Sequence, residues 1–314
     1  MAREQGARTA LAVAFETVYG TAPVGGYVQV PFASVSLGED RALLESELLG
    51  QGRDPLAPVL DVITLDGDVV IPLDAANLGI WLKGAFGAPV TTGATADKTH
   101  TFQSGSFTLP SMSIEKAMPN VPLFEMFRGC TVNTLRWTMQ RGGQLTGTVS
   151  LIGQKAARAT ATAAGTPTVH PLHRFGHAQG AVARDGATLG NVVSAEIAYT
   201  NNLDPISVIR SDGAIEAVDP TIAGLSGSLT VRFDSTALLD QAVAGEDCEL
   251  VFSHEISGTR SFTFTAHAVH LSQPRLPIEG PGGIQATFNF QGAKGDSPAR
   301  MCTAVLLNQI ASYT

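Results

Sequence analysis

Three histidines at close spacing, His170, His173 and His177 in the run HPLHRFGH, are the residues whose type and spacing could hold a transition metal. Imidazole ligands need carboxylates behind them to fix their tautomer and orientation. None lies nearby in sequence, so a plain loop between two folded units is the favoured reading. His267 and His270 fall on a strand pattern that points them to opposite faces, where they cannot chelate together. Gly50-Gln51-Gly52 opens like a dinucleotide fingerprint, but Pro55 stands where the third glycine belongs and no βαβ pattern surrounds it. Gly224-Leu225-Ser226-Gly227-Ser228 starts like a nucleophile elbow and then lacks its last glycine. There is no P-loop, HExxH or CxxC. The expectation is a protein without catalytic residues, cofactor or metal.

Charge and cysteine content narrow the classes further. The 314 residues carry a formal net charge of −8 with 15% charged residues, and the few lysines form no basic run. A nucleic-acid grip needs clustered cations, so binding to DNA as a ligand is excluded as the main role. So low a charged fraction suggests a surface partly covered by partners. Cys130, Cys248 and Cys302 are odd in number and scattered, which suits a reducing cytoplasm rather than a disulfide framework. The run MAREQGARTALAVAF lacks the apolar core of a signal peptide, and no window approaches a membrane span. Hydrophobic residues at 44% and a mean hydropathy of +0.14 predict a folded, soluble chain.

The elements that must carry these residues are clearest over residues 65–87. Val69, Ile71 and Leu73 alternate with Asp68 and Asp74, the period of a half-buried strand. Asp74 stands where an N-cap belongs. Leu78, Trp81, Leu82, Ala85 and Phe86 then form one helical stripe, ended by Gly87 and Pro89. The second half repeats the pattern 160 positions later: Gly227 answers Gly67, Val231 answers Ile71, Phe233 answers Leu73 and Asp234 answers Asp74. Gln241 replaces Trp81, and Gly245 ends the second helix sooner. Upstream, Ser34, Val35 and Leu37 match Ser194, Ala195 and Ile197 at the same offset. Downstream, residues 147–153 match residues 286–292 at an offset of 139. Three blocks in one order predict a duplicated domain.

The predicted organisation is an N-terminal arm at 1–30, a first β domain at 31–155, a low-complexity linker at 156–174, a second β domain at 175–292 and a C-terminal arm at 293–314. Strands are expected at 28–38, 106–116, 130–140 and 143–153, with a turn and short helix at 119–129 and a Gly/Thr/Ala-rich connector at 88–105. In the second half, strands are expected at 191–200, 206–217, 225–233, 247–254, 259–272 and 284–292, with a helix at 235–244. The excursion at 39–60 reads either as an intersubunit loop or as a solvated hairpin tip. The apolar tail (Met301, Val305, Leu306, Leu307, Ile310) reads as a docking arm, with packing on its own domain as the alternative.

Several short strings together resemble a known family. They are Phe15-Glu16-Thr17-Val18-Tyr19-Gly20-Thr21-Ala22-Pro23, Pro31-Phe32-Ala33-Ser34, residues 47–55 (ELLGQGRDP), residues 66–87, residues 109–116 (LPSMSIEK) and Gly129-Cys130-Thr131-Val132-Asn133. In this order they resemble the large, two-domain tail tube proteins of long-tailed bacteriophages, over most of residues 1–155 and more loosely in the repeat.

The resemblance implies a mainly β protein of two tandem sandwich or half-barrel domains, each with a flanking short α-helix. It implies trimeric, pseudo-sixfold rings that stack into a hollow tube for DNA during ejection. Head-to-tail contacts can close a ring, and non-closing ones can stack it. The implied location is the virion tail, assembled in the host cytoplasm. The implied partners are further copies of the chain, tail-tip or baseplate, tape measure and terminator proteins, and DNA that passes without specific binding. Carboxylates would repel phosphate from the channel wall. Glu39, Asp40, Glu45, Glu47, Asp68 and Asp74 are therefore candidates to face the lumen, or else the solvent outside. Phe15, Tyr19, Leu48, Leu49, Arg53, Leu306, Leu307 and Ile310 are candidate inter-ring contacts. A tail terminator or head–tail connector is the main alternative, and a carbohydrate-binding double sandwich a weaker one, since Trp81 and Trp137 read as core rather than as exposed platforms.

Overall fold

The computed structural model describes residues 3–50, 52–94, 96–278 and 280–313. In chain order the strands begin with β1 (Ala10–Phe15), β2 (Val28–Val30), β3 (Ser34–Val35) and β4 (Gly38–Asp40). A projecting ribbon of β5 (Leu43–Leu44) and β6 (Val59–Leu60) precedes β7 (Thr64–Pro72) and helix α1 (Leu78–Phe86). Next come β8 (Val90–Thr92), β9 (Lys98–Gln103), β10 (Met112–Met118), β11 (Leu123–Gln140), β12 (Thr146–Gly153), β13 (Lys155–Ala159) and β14 (Thr168–Val169). The second half contains β15 (Gly180–Arg184), β16 (Ala187–Thr188), β17 (Val192–Thr200), β18 (Leu203–Ile206), β19 (Ala217–Pro220) and β20 (Gly224–Arg232). Helix α2 (Ala237–Ala244) leads to β21 (Asp247–Ser257), β22 (Arg260–Leu271), β23 (Gln285–Ala293) and β24 (Cys302–Asn308). The fold is mainly β, as the alternating patterns predict.

One sheet runs through both halves. Its order is β3 and β4 together on β7, then β12, β11, β17, β20, β23 and the end of β22. The period of two decides its faces. Val69, Val149, Trp137, Ile197, Leu229 and Phe288 point into the core and are buried. Asp68, Thr148, Arg136, Glu196, Ser228 and Asn289 take the opposite face.

The ladder of the first half recurs in register in the second. Ser34 lies opposite Val70 in β3–β7, and Ser194 opposite Thr230 in β17–β20, both partners 160 positions on. Gly67 faces Leu151, and Gly227 faces Phe290. Both glycines are required by a close approach. A Cβ at Gly67 would meet the Leu37 backbone at 2.6 Å, and one at Gly227 would collide with the Glu196 carbonyl.

A second layer closes the sandwich. It runs from β8 through β9, β24 and β22 to β21 and β15. Phe262 and Phe264 of β22 meet Trp137 of β11 edge-on at 5.8 and 5.1 Å, so the second half's layer packs over a first-half strand. Core residues of both halves therefore form one cluster.

Several sequence expectations need correction. The tail at 293–314 is not a free arm, because β24 pairs with β22 on one side and with β9 on the other. Its Tyr313 is buried and donates its hydroxyl to the Ala76 carbonyl at 2.6 Å. The arm at 1–30 also enters the fold: β1 lies between β2 and β10 with Leu11 and Val13 buried. Residues 119–129 hold no helix, and most belong to β11. Their spacing suited either period, and pairing to β10 and β13 on both sides selects the strand. The connector at 88–105 contains β8 and β9, and the linker at 156–174 contributes β13 and β14 to first-half pairings. The strand expected at 206–217 is instead the loop of the β18–β19 ribbon.

Candidate assembly surfaces

The polar face of the long sheet is built from short side chains: Thr134, Thr138, Thr146, Thr148, Ser150, Ser194, Ser226, Ser228, Thr230, Thr287, Asn289 and Gln291. Charges on it are sparse and mixed. Asp68 accepts the Ser150 hydroxyl and lies 3.6 Å from the Arg136 guanidinium. Glu196 and Arg232 are exposed on the second-half strands. Opposite charges this exposed contribute little to stability.

The carboxylates expected to act together are scattered. Asp68 belongs to the polar face, and Asp40 is exposed at its edge, accepting the Arg41 amide at 2.8 Å. Glu39 turns away and accepts the Ala156 amide at 2.6 Å. Glu45 and Glu47 are exposed in the excursion beyond β4. Asp74 is a correction: it is buried, 1% exposed, and cannot face any channel in this fold. Its Oδ1 accepts the Ala76 and Asn77 amides at 2.9 and 2.8 Å. It thus caps the turn before α1, whose own N-cap is Asn77, and burial raises its pKa.

The apolar contact residues divide in the same way. Leu48 and Leu49 are 73% and 94% exposed, and Arg53 is exposed in the same excursion. Leu43, Leu44, Val59, Leu60 and Val62 extend this apolar surface along the β5–β6 ribbon, a feature hidden in sequence because its apolar residues look like ordinary strand. Phe15 is half-buried beneath the Lys83 ammonium, 3.9 Å from its ring centre, and burial lowers the Lys83 pKa. Tyr19 is half-buried, and desolvation raises its pKa. Leu306 is a second correction: it is 0% exposed, in the core of β24. Leu307 alternates to the other side and is partly buried, and the Ile310 carbonyl lies 3.0 Å from His100 Nε2.

The histidine run lies along the end of β7. The His173 carbonyl accepts the Ala75 amide at 2.8 Å, and the Phe175 amide donates to Leu73 at 2.9 Å. His177 Nδ1 faces the Gln140 amide at 3.3 Å. Among the described residues, no three His, Cys, Asp or Glu side chains gather in a geometry that could hold a metal ion. No helix among them is long and apolar enough to cross a membrane.

A mainly β chain with a long sheet whose ladder register recurs, a polar sheet face and a projecting apolar ribbon has the features of an assembly subunit. The family model described as phage tail tube protein matches residues 6–292. The chain belongs to the phage tail tube protein family, a family of structural virion components rather than an enzyme class. A comparison with curated proteins finds no match.

Proposed function

We propose that this chain builds a phage tail tube as trimeric rings of pseudo-sixfold symmetry, stacked into a hollow conduit for DNA during ejection. The observation that carries this reading is the repeated ladder: β3–β7–β12–β11 and β17–β20–β23–β22 share one register and join edge to edge through β11 and β17. One chain then supplies two equivalent ring units, the expected product of an internal duplication. The polar sheet face would form the lumen wall, where short hydroxyl and amide side chains with few cations offer phosphate no grip. The β5–β6 excursion, with Leu48, Leu49 and Arg53, would contact the adjacent ring. Assembly in the host cytoplasm with tape measure, tail-tip or baseplate and terminator proteins follows from the same reading.

Negative-stain electron microscopy of concentrated protein tests it. Hollow tubes with threefold cross-section averages are expected. Isolated rings would favour a terminator or connector, and persistent monomers with tail-tip components present would overturn the tube. Replacing Asp68 and Glu196 by Lys should leave tubes intact and slow DNA delivery, and unchanged infectivity would remove those carboxylates from the lumen.

A further inference from the structure

The internal repeat leaves one edge of the sheet filled and its equivalent empty. Thr131 pairs with Ile152 as His270 pairs with Gln291, and Val132 with Leu151 as Leu271 with Phe290, a constant offset of 139. Carried past Leu271, that offset makes residues 273–278 the counterpart of residues 134–139 of β11. In β11 this is the stretch that pairs with β17, from Thr134 opposite Thr200 to Met139 opposite Ala195. Residues 273–278, by contrast, form no strand, and among the described residues none of their backbone groups is hydrogen-bonded.

The side chains follow the same correspondence. Leu276 stands for Trp137 and packs on the core, while Ile278 stands for Met139. Met139 is 7% exposed, whereas Ile278 is 77% exposed. The counterpart of β17, 160 positions earlier, is the pair β3 and β4, whose ladder partner is β7 on one side alone.

We propose that residues 273–278 of one copy pair antiparallel with residues 35–40 of the next copy, with Arg275 opposite Gly38 and Gln273 opposite Asp40. The contact repeats between chains the β11–β17 junction seen within the chain. It rests on the ring reading above and specifies which edges close the ring and in which register. Arg275 then sits diagonal to Asp40, an attractive cross-strand arrangement. Pro274 removes an amide donor from this edge, which blunts it against indiscriminate strand pairing and leaves more of the contact to Leu276 and Ile278.

Paired cysteines test the register, since directly opposed residues meet the narrow distance limits of a disulfide. The native Cys130, Cys248 and Cys302 are buried and do not compete. In assembled protein, G38C with R275C should give covalent oligomers on oxidation that each single variant lacks. D40C with Q273C tests the same register should the first pair fail to fold. S34C with Q273C, far out of register, should give none. Rings or tubes in the microscope without the in-register cross-link, or with equal cross-linking of the out-of-register pair, would overturn this pairing while the tube reading stands. Unmodified protein that forms neither rings nor tubes would overturn the ring reading, and the pairing with it.

Discussion

Helices α1 and α2 follow equivalent strands at nearly equal spacing, yet their surroundings differ completely. Every residue of α1 except Lys83 is buried, whereas α2 buries only Leu238. The cover over α1 comes from far away in sequence. Tyr313 sits against Gly79, and β24 pairs with β9 beside the helix. Over α2 nothing comparable lies among the described residues, and Val243 is 62% exposed. The same strand–helix unit is thus a core element in one half and a surface element in the other, because the tail after β24 brings Tyr313 over α1.

Substituting equivalent positions should break the apparent equivalence most strongly at the helix centre. Trp81→Ala removes a fully buried indole and should cost about 3–5 kcal/mol, read as a shift in denaturant midpoint. Gln241→Ala loses its bond to the Asp247 carbonyl and should cost at most about 1 kcal/mol. Equal losses would mean that α2 is buried in the species measured, as it would be inside an assembly.

The two halves also differ in their buried histidines. His100 of β9 lies between Thr91, Asn308 and the Ile310 carbonyl, and burial lowers its pKa. His254 of β21 lies beside Phe175, where burial and the neighbouring His177 push its pKa down to about 4. The folded chain therefore resists a proton that the unfolded chain accepts at the ordinary histidine value. Stability present at neutral pH should fall as pH drops from 6.5 to about 4, by on the order of 3 kcal/mol. Thermal melts across that window should show the loss in the parent and a flatter profile in His254→Phe. Identical profiles would assign the acid sensitivity elsewhere.

Smaller effects sharpen the comparison. Gly79→Ala drives a methyl into the Tyr313 ring and should cost about 1–3 kcal/mol, with part of the loss recovered when Tyr313→Ala is added. A full cost without recovery would show that the tail does not cover α1. Asp74→Ala frees two buried amides and should cost about 1–2 kcal/mol. Asp234→Ala, at the exposed counterpart bonded to Asn191, should stay within about 0.5 kcal/mol. These two differ in what covers them and in whether they cap backbone amides.

Local pattern made much of the fold legible. Alternation over Val69, Ile71 and Leu73 and over residues 147–153 marked strands that the structure contains, and the positions joined by constant offset, Gly67/Gly227 and Ser34/Ser194, take corresponding places in their ladders. The surfaces were less legible. Leu48 and Leu49 were found exposed, but Asp74 and Leu306 are buried, because alternation gives a residue's parity and not which face a distant layer will cover.

By itself, then, the sequence determined the strand periods, the two strand–helix units, the repeat and the family resemblance, all of which depend on neighbours a few residues apart. Only the tertiary structure decided that residues 123–129 extend a strand instead of forming a helix, that β24 joins both halves, and that α1 is enclosed while α2 is not. Those outcomes depend on which edge is free to pair and which apolar face remains to be covered once the other elements have packed, a competition among segments distant in the chain that no local pattern records.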